Sequence, residues 1–358
     1  MYHNTTTADV AAGSSPGSLD ASVIIPAHNA ERTIANLVRG CLQQDFAPRR
    51  YEIIIVDDGS TDDTWAEARQ FADSPNVIVV RQPNLGAAAA RNHGARVASG
   101  DVLVFCDSDM VVPPHWLRRL VKAASDPDAG LVGCVYAPAE DLPLAASCMH
   151  EEIRRRQIMG PDTPLHIGSF TMALRRSLFE RVGGFDSDFM RAQDTELSYR
   201  VAATGCQSRL LKDLAVHHDH PRTLREWLAN QYKQAFWRAR TYARYPCRTA
   251  GDGYSCWRDW ASLAAAAAAI VTAPLALRGN LWMVPAGMLL GLAALQIPPT
   301  LFAVRDTGEC RHIALVPMQM MRSVAWLAGG AASILVRARR KSEIAETTSE
   351  VSSVRQAN

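Results

Sequence analysis

The chain is short of lysine, of net charge and of ordered cysteine spacing, and each shortage narrows what it can do. Lysine occurs only as Lys122, Lys212, Lys233 and Lys341, the rest of the 38 basic residues being arginine. A GC-rich genome produces that bias, and no function is read from it. A net charge of +2 over 358 residues leaves no broad basic surface to attract a polyanion, so nucleic acid is not an expected partner. The eight cysteines, at 41, 106, 134, 148, 206, 247, 256 and 310, form no C-x-x-C pair and no regular spacing. That excludes a zinc ribbon and a disulfide framework, and a reduced, cytosolic compartment is the simpler expectation for the catalytic part. Cys41, Cys106 and Cys134 fall in apolar patterns, where a thiol behaves as a small hydrophobe. The first twenty residues lack a basic segment followed by an apolar one, so no signal peptide is expected and residues 1–20 read as a disordered tail. No internal repeat is visible.

From residue 21 to 136 strand and helix patterns alternate. Strands are predicted at Ala21–Pro26, Tyr51–Asp57, Val77–Arg81, Val102–Cys106 and Gly130–Tyr136. Helices are predicted at Glu31–Gln44, Asp62–Ala72 with Ser60 as its cap, Gly86–Ala98 and Pro114–Ala124. This rhythm predicts an α/β fold with a doubly wound, mainly parallel sheet. Further on, helices are expected at Ala145–Gln157, Arg176–Val182 and Thr195–Thr204, and strands at Phe170–Leu174 and Ser208–Leu211.

Two of the apolar strands end in acids. Ile53–Val56 runs into Asp57 and Asp58, and Val102–Cys106 into Asp107, Ser108 and Asp109. Such strands are buried on both faces, so their terminal carboxylates emerge at the rim of the sheet, where open α/β folds bind ligands. An Asp-x-Asp loop can place both carboxylates on one divalent cation, itself placed to hold a diphosphate. By itself the pattern is common, and a solvated turn or helix cap is the commoner explanation.

After His220 the composition changes. Leu224–Tyr245 mixes Trp227, Tyr232, Phe236, Trp237 and Tyr242 with Arg225, Lys233, Arg238, Arg240 and Arg244, as a helix lying at a membrane surface does, the alternative being a solvated helix packed on the domain. Three apolar stretches follow, Trp260–Leu277, Leu281–Ile297 and Ile313–Val336. The first two are near the lower limit of about 17 residues for a bilayer crossing, and the third contains Pro317 and Arg322. Membrane association is expected, the alternative being a buried helical domain. Three crossings would put the basic segment Arg337–Lys341 outside, against the positive-inside tendency, so the third stretch is expected to be re-entrant or interfacial, broken near Pro317 to Arg322. The expected organisation is a tail at 1–20, a catalytic domain at 21–222, an interfacial region at 223–258, transmembrane or re-entrant helices at 259–337 and a basic cytosolic tail at 338–358.

Six motifs in order carry a resemblance. They are Ser22–Glu31, Val56–Thr64, Asn84–Gly86 continuing through Ala90–Gly94, Asp107–Asp109, Gly183–Asp186 and Gln193–Arg200. Over residues 20–222 the chain resembles the family 2 glycosyltransferases, inverting enzymes of the GT-A fold that use nucleotide-activated sugars. The resemblance implies a nucleotide-sugar donor bound by Pro26, Ala27, His28, Glu31, Asp57, Asp58, Gly86, Arg91 and Asp107. Asp57 or Asp58 would accept from a base edge or hold the ribose, and Arg91 would contact the nucleotide, unless it is an ordinary surface arginine. Asp107 and Asp109 would serve ribose and metal, with Asp109 the firmer ligand. Mg²⁺ or Mn²⁺ suits these oxygens better than zinc. His218 is the best match for a histidine completing the metal shell, with His220 second.

Asp194 is the expected catalytic base, matching the acid of a Glu-Asp motif in which this chain has Gln193; the alternative is a simple helix N-cap. Thr171 stands where many relatives carry asparagine. Processive synthases carry Gln-x-x-Arg-Trp after the base, and here Gln234 leads to Trp237 and Arg238 with the last pair reversed, which favours addition of one or a few sugars. The expected acceptor is lipid-linked or membrane-associated, at the inner membrane with the catalytic domain on the cytosolic side. Alternatives are transfer to a polyprenyl phosphate and a catalytically silent sugar-nucleotide-binding scaffold.

Overall fold

A computed structural model describes residues 19–138, 142–218, 223–249 and 255–357. The expected tail, apart from Leu19 and Asp20, and His220 lie outside these described residues. In chain order the elements are β1 (Ala21–Ala27), α1 (Ile34–Leu42), β2 (Tyr51–Asp58), α2 (Thr64–Arg69), β3 (Val77–Gln82), α3 (Ala87–Val97), β4 (Val102–Cys106), β5 (Met110–Val111), α4 (Trp116–Ala124) and β6 (Ala129–Tyr136). They continue with α5 (Leu144–Met159), β7 (Thr171–Arg175), α6 (Arg176–Arg181), α7 (Gln193–Ala203), β8 (Gln207–His218), α8 (Leu224–Arg244), α9 (Trp257–Thr272), α10 (Met283–Ala294), α11 (Ile297–Thr307) and α12 (Leu315–Ala357). The chain divides into two compact units, Met1–Val132 with Ser169–Gly184, and Gly133–Gly168 with Phe185–Asn358. Strand β6 begins in the first and ends in the second.

In the first unit the strands run in the order β3-β2-β1-β4-β7. The first four are parallel, with Val23 opposite both Ile53 and Val104, while β7 is antiparallel to β4, pairing Thr171 with Cys106. Every residue of β1, β2 and β4 is buried, as the unbroken apolar runs require. The flanking helices are amphipathic: α1 buries Ile34, Leu37, Val38 and Cys41, and α4 buries Trp116, Leu117, Leu120 and Val121. Ser60 does not cap α2. The helix begins at Thr64, four residues past Ser60, with Asp63 at the N-cap and no side-chain cap, while the Ser60 hydroxyl accepts from the Asn29 N–H at 3.1 Å.

In the second unit the end of β6 lies beside β8, with the Ala137 N–H donating to the Val216 carbonyl at 2.8 Å. Strand β8 runs to His218, well beyond the expected Leu211; its partly buried polar positions, Lys212 among them, blur the apolar pattern. Helix α8 opens on a capping box, the Thr223 hydroxyl accepting from the Glu226 N–H while Glu226 accepts from the Thr223 N–H. It buries Trp227, Ala235, Arg238 and Tyr242.

Two segments are long and apolar enough to cross a membrane, Trp257–Leu277 and Asn280–Thr307. The third expected stretch differs. It is not broken near Pro317 but forms the opening of one continuous helix, α12, with Pro317 in the first turn, where no intrahelical amide is lost.

Candidate active site

The first strand's exit loop and the second's are tied to one another residue by residue. Ala30 N–H donates to Thr64 Oγ1 at 2.6 Å, Thr61 N–H to Asn29 Oδ1 at 2.9 Å, and Asp63 N–H to the Glu31 carboxylate at 3.2 Å. Asn29 itself sits at positive φ, a conformation asparagine tolerates. Gly59 turns the second loop at φ +65°, and a Cβ there would lie 2.6 Å from the Asn84 nitrogen. Pro26 and Ala27 are buried at the end of β1, whereas His28 and Glu31 are exposed. The His28 ring is held on both sides, Nδ1 by the Asp58 carbonyl at 2.9 Å and Nε2 by the Asn84 side chain at 3.3 Å.

Asp57 and Asp58, expected to serve a base or ribose, are both buried and both engaged within the protein. Asp57 accepts from the Ser60 N–H at 3.2 Å and pairs with Arg81 at 2.8 Å. Asp58 accepts from Gln82 at 2.7 Å and from the Leu85 and Gly86 N–H groups at 2.9 and 2.8 Å. Asp58 therefore fixes the start of α3, whose N-cap Gly86 has φ +91°. Gly86 opens the helix as expected, and its own amide points at Asp58.

Arg91 lies five residues into α3 and is buried, which rules out the surface-arginine alternative. It pairs with Asp107 Oδ1 at 2.5 Å. Asp107 leaves β4 with its N–H on the Phe170 carbonyl at 3.0 Å, next to the buried Thr171 of β7. Its side chain keeps about a third of its surface exposed, and Asp109 is likewise part-exposed. The rim thus presents two carboxylates on one short loop, one of them oriented from beneath by a buried guanidinium.

Among the described residues no three His, Cys, Asp or Glu side chains converge as a metal cage. Two carboxylate-bearing residues on a loop still fit Mg²⁺ or Mn²⁺, which bind through one or two carboxylates and take their other ligands from phosphate and water. His218 ends β8 with its ring stacked on Tyr136 at 5.4 Å. His150 also stacks on Tyr136, at 5.2 Å, and is buried and donates to the Ala137 carbonyl. Burial holds the His150 imidazole below its ordinary pKa.

In the second unit Asp194 is the second residue of α7, which begins at Gln193, two residues before the expected Thr195. It is not the N-cap. That position belongs to Ala192, in left-handed backbone at φ +60° with no side-chain cap. Asp194 is part-exposed, and Oδ1 accepts from the Thr195 N–H at 2.7 Å. Two residues on, Glu196 is fully buried and saturated, gripped by the Arg200 guanidinium and by the Tyr245 hydroxyl at 2.8 Å. Burial and the neighbouring Glu196 push the Tyr245 hydroxyl pKa up. Of the two acids, Asp194 can meet a substrate and Glu196 builds the helix that carries it.

The sequence reading missed two further neighbours. The Thr195 hydroxyl lies 3.3 Å from His166 Nδ1, and Arg238 of α8 reaches it at 3.4 Å. Arg238 is buried, with its Nε on the Tyr242 hydroxyl at 3.1 Å. An arginine on the stripe that also bears Ala235 and Tyr242 was the available signal.

A parallel α/β sheet with carboxylates at its rim, followed by apolar helices, defines a GT-A-type protein. Residues 22–183, a little under half of the chain, match the model of glycosyl transferase family 2, and that segment is a domain of the family. It is 29% identical over 236 residues to validoxylamine A glucosyltransferase of Streptomyces hygroscopicus subsp. limoneus, covering 56% of this chain and 52% of the relative. It is 37% identical over 127 residues to the undecaprenyl-phosphate 4-deoxy-4-formamido-L-arabinose transferase of Pseudomonas syringae pv. syringae, covering 34% of this chain and 36% of the relative. The chain spans about half the length of the first curated relatives it matches. Among solved structures, a mannosyltransferase from Pyrobaculum calidifontis in complex with GDP-Man and Mn²⁺ superposes with a TM-score of 0.59 at 21% identity, covering 88% of this chain and 86% of that one. The likeness establishes the GT-A fold.

Proposed function

We propose that the protein is an inverting, metal-dependent glycosyltransferase that moves a sugar from a nucleoside-diphosphate donor to a hydroxyl of a membrane-associated acceptor. The observation that carries the reading is the Arg91–Asp107 pair at the end of β4, with Asp109 two residues on. A buried arginine that orients a part-exposed carboxylate at a sheet rim is suited to ligand binding rather than to stability alone. His28, Glu31 and the loop closed by Asp57 and Asp58 form the adjoining wall, and Pro26 and Ala27 bring β1 backbone to the same rim. Asp109 and Asp107 would hold Mg²⁺ or Mn²⁺, and the cation would neutralise charge on the departing diphosphate.

Asp194 takes the acceptor hydroxyl's proton from the face opposite the leaving group, so a single displacement inverts the anomeric centre. No carboxylate nucleophile is needed. Glu196 is sequestered and leaves Asp194 as the acid of α7 able to act. His218, with its ring held against Tyr136, supplies an imidazole at the end of β8 for metal or acceptor.

The apolar segments Trp257–Leu277 and Asn280–Thr307 support a membrane location, and the catalytic residues are assigned to the cytosolic side in this reading. The likeness to an undecaprenyl-phosphate sugar transferase favours a second reading, direct transfer to a polyprenyl phosphate. A phosphate acceptor arrives ionised and needs little from a base.

The test is a panel of sugar nucleotides offered to the detergent-solubilised protein with Mn²⁺. Release of nucleoside diphosphate from one donor, lost in Asp109→Ala and reduced about 10²-fold or more in Asp194→Ala, is the expected result. Turnover that survives Asp194→Ala selects the polyprenyl-phosphate reading. Metal-dependent donor binding without turnover selects the silent scaffold.

A further inference from the structure

The second unit holds its apolar segments in an arrangement that sets their path through a bilayer. Helix α9 starts at Trp257, and Asp259 in its first turn is gripped by Arg156 of α5 through two hydrogen bonds of 2.8 and 3.0 Å. At the far end of the apolar region Asp306, the penultimate residue of α11, pairs with Arg154 of the same α5. Just beyond, His312 bridges the Thr307 hydroxyl at 2.9 Å and the Ser147 hydroxyl of α5 at 2.8 Å. Arg154 and Arg156 are two residues apart, about 3 Å of axial rise. Entry and exit of the apolar region are therefore tied to one short piece of one helix.

Between those feet the chain goes out and comes back. No charged residue occurs from Trp260 to Leu277 or from Leu281 to Val304; Arg278 lies between them. The outgoing leg, 16 residues of α9 and five of 3-10 helix, spans roughly 34 Å, enough for a hydrocarbon core of about 30 Å. Helix α9 has a small buried face, Ser262, Ala266 and Ala269, and Gln296 of the returning leg donates to Ser262 at 2.9 Å. The other faces of the two legs are bare: Ile270, Val271, Leu277, Leu289 and Leu290 are all exposed. Tryptophans mark both ends, Trp257 and Trp260 at the foot and Trp282 at the tip, with relative exposures of 69%, 39% and 53%. Rings at two levels about a bilayer apart are the pattern of two aromatic belts. The tip itself is polar, with Arg278 and Asn280 exposed.

The third apolar stretch is spoken for. Gly329 of α12 lies so close to α8 that a Cβ there would come within 2.3 Å of the Tyr232 carbonyl oxygen. Trp326 Nε1 donates to Gln231 at 2.8 Å, and Met318 packs with Trp227. Arg322 is buried and faces Glu152 and Asp259 at 3.4 Å each, Gln319 at 3.0 Å and Gln231 at 3.2 Å. A helix with an ion-paired arginine and a polar seam along α8 is a member of that pair, not a separate crossing.

We propose that residues 257–307 form a two-crossing hairpin whose partner is the lipid bilayer, with both feet on the face that carries α5, the tip at Arg278–Asn280 on the opposite face, and α12 remaining on the α5 side. This rests on the membrane reading given above and adds the path to it. Two crossings also return the basic segment Arg337–Lys341 to the side where positive charge is favoured.

The chain carries its own reporters. Cys256 stands immediately before α9 and Cys310 shortly after α11, and both are exposed, whereas Cys41, Cys106, Cys134 and Cys148 are buried. Variants of the full chain that keep one exposed cysteine, with Cys206, Cys247 and the other reporter replaced by serine, are expressed in bacterial membranes and treated with an impermeant maleimide. Cys256 and Cys310 are expected to label in inverted vesicles and not in right-side-out ones. Asn280→Cys in the same background is expected to label only from the other side. Labelling of Cys256 and Cys310 from opposite faces, or of Asn280→Cys from the foot face or from neither, overturns the hairpin while leaving membrane attachment standing. A protein that stays in the supernatant when membranes are pelleted overturns the membrane reading and the hairpin together.

Discussion

Asp194 and Glu196 stand two residues apart on α7 and are divided by burial into different duties. Glu196→Gln removes the charge that Arg200 and Tyr245 grip, and should cost roughly 2 to 3 kcal/mol. That is less than the about 3–5 kcal/mol of a fully buried pair, because Arg200 keeps some solvent contact. The readout is the thermal midpoint of the solubilised protein, in which Asp194→Asn should move little. His150 and His312 give a pH prediction. Burial depresses both imidazoles below the ordinary value of about 6.5, so their stabilising contribution is complete above that pH and is lost as pH falls through the depressed folded values. The thermal midpoint should drop on acidification from about pH 7 to about pH 5, and His150→Gln, which can still donate to the Ala137 carbonyl, should make the drop shallower. At this scale the acidic motifs were legible because strand ends in open sheets point carboxylates at the rim. That Asp58 spends its oxygens on the Leu85 and Gly86 amides was not, since those bonds join loops 27 and 28 residues apart.

Among the elements, the α8–α12 pair has the tightest requirement. Gly329→Val forces a side chain onto the Tyr232 carbonyl, and overpacking of this kind costs about 1–3 kcal/mol. The expected outcome is a lower thermal midpoint together with faster proteolysis within α8 and α12, read by mass spectrometry of the fragments. Strands β1, β2 and β4 were legible because runs buried on both faces leave no polar alternation to confuse them. The antiparallel setting of β7 was not, because local pattern is the same for either direction. The continuity of α12 was misread for a local reason: a proline in the first helical turn looks in sequence like a break.

For the molecule as a whole, attachment by an apolar hairpin and attachment by the arginines of α8 respond differently to salt. At about 1 M salt the Debye length is about 3 Å, and a purely electrostatic association is screened away. The protein should remain with the membrane pellet under that wash and leave it only with detergent, as followed by immunoblot of the fractions. Composition pointed to apolar helices after the sheet but not to how their ends are held. Hydropathy reads length and polarity along the chain, whereas the ties of Asp259, Asp306 and His312 to α5 exist only after folding.

One consequence of those ties is mechanical. With the hairpin in a bilayer as proposed, a change in thickness or lateral pressure that tilts the two legs would pull at Arg154 and Arg156, and so load α5. His150 lies one helical turn before Arg154, with its ring on Tyr136 and Tyr136 against His218. In the proposed hairpin the bilayer would thereby be joined to the end of β8 through one helix and three rings, and the fluidity of the host lipid would be expected to alter the rate of the proposed transfer.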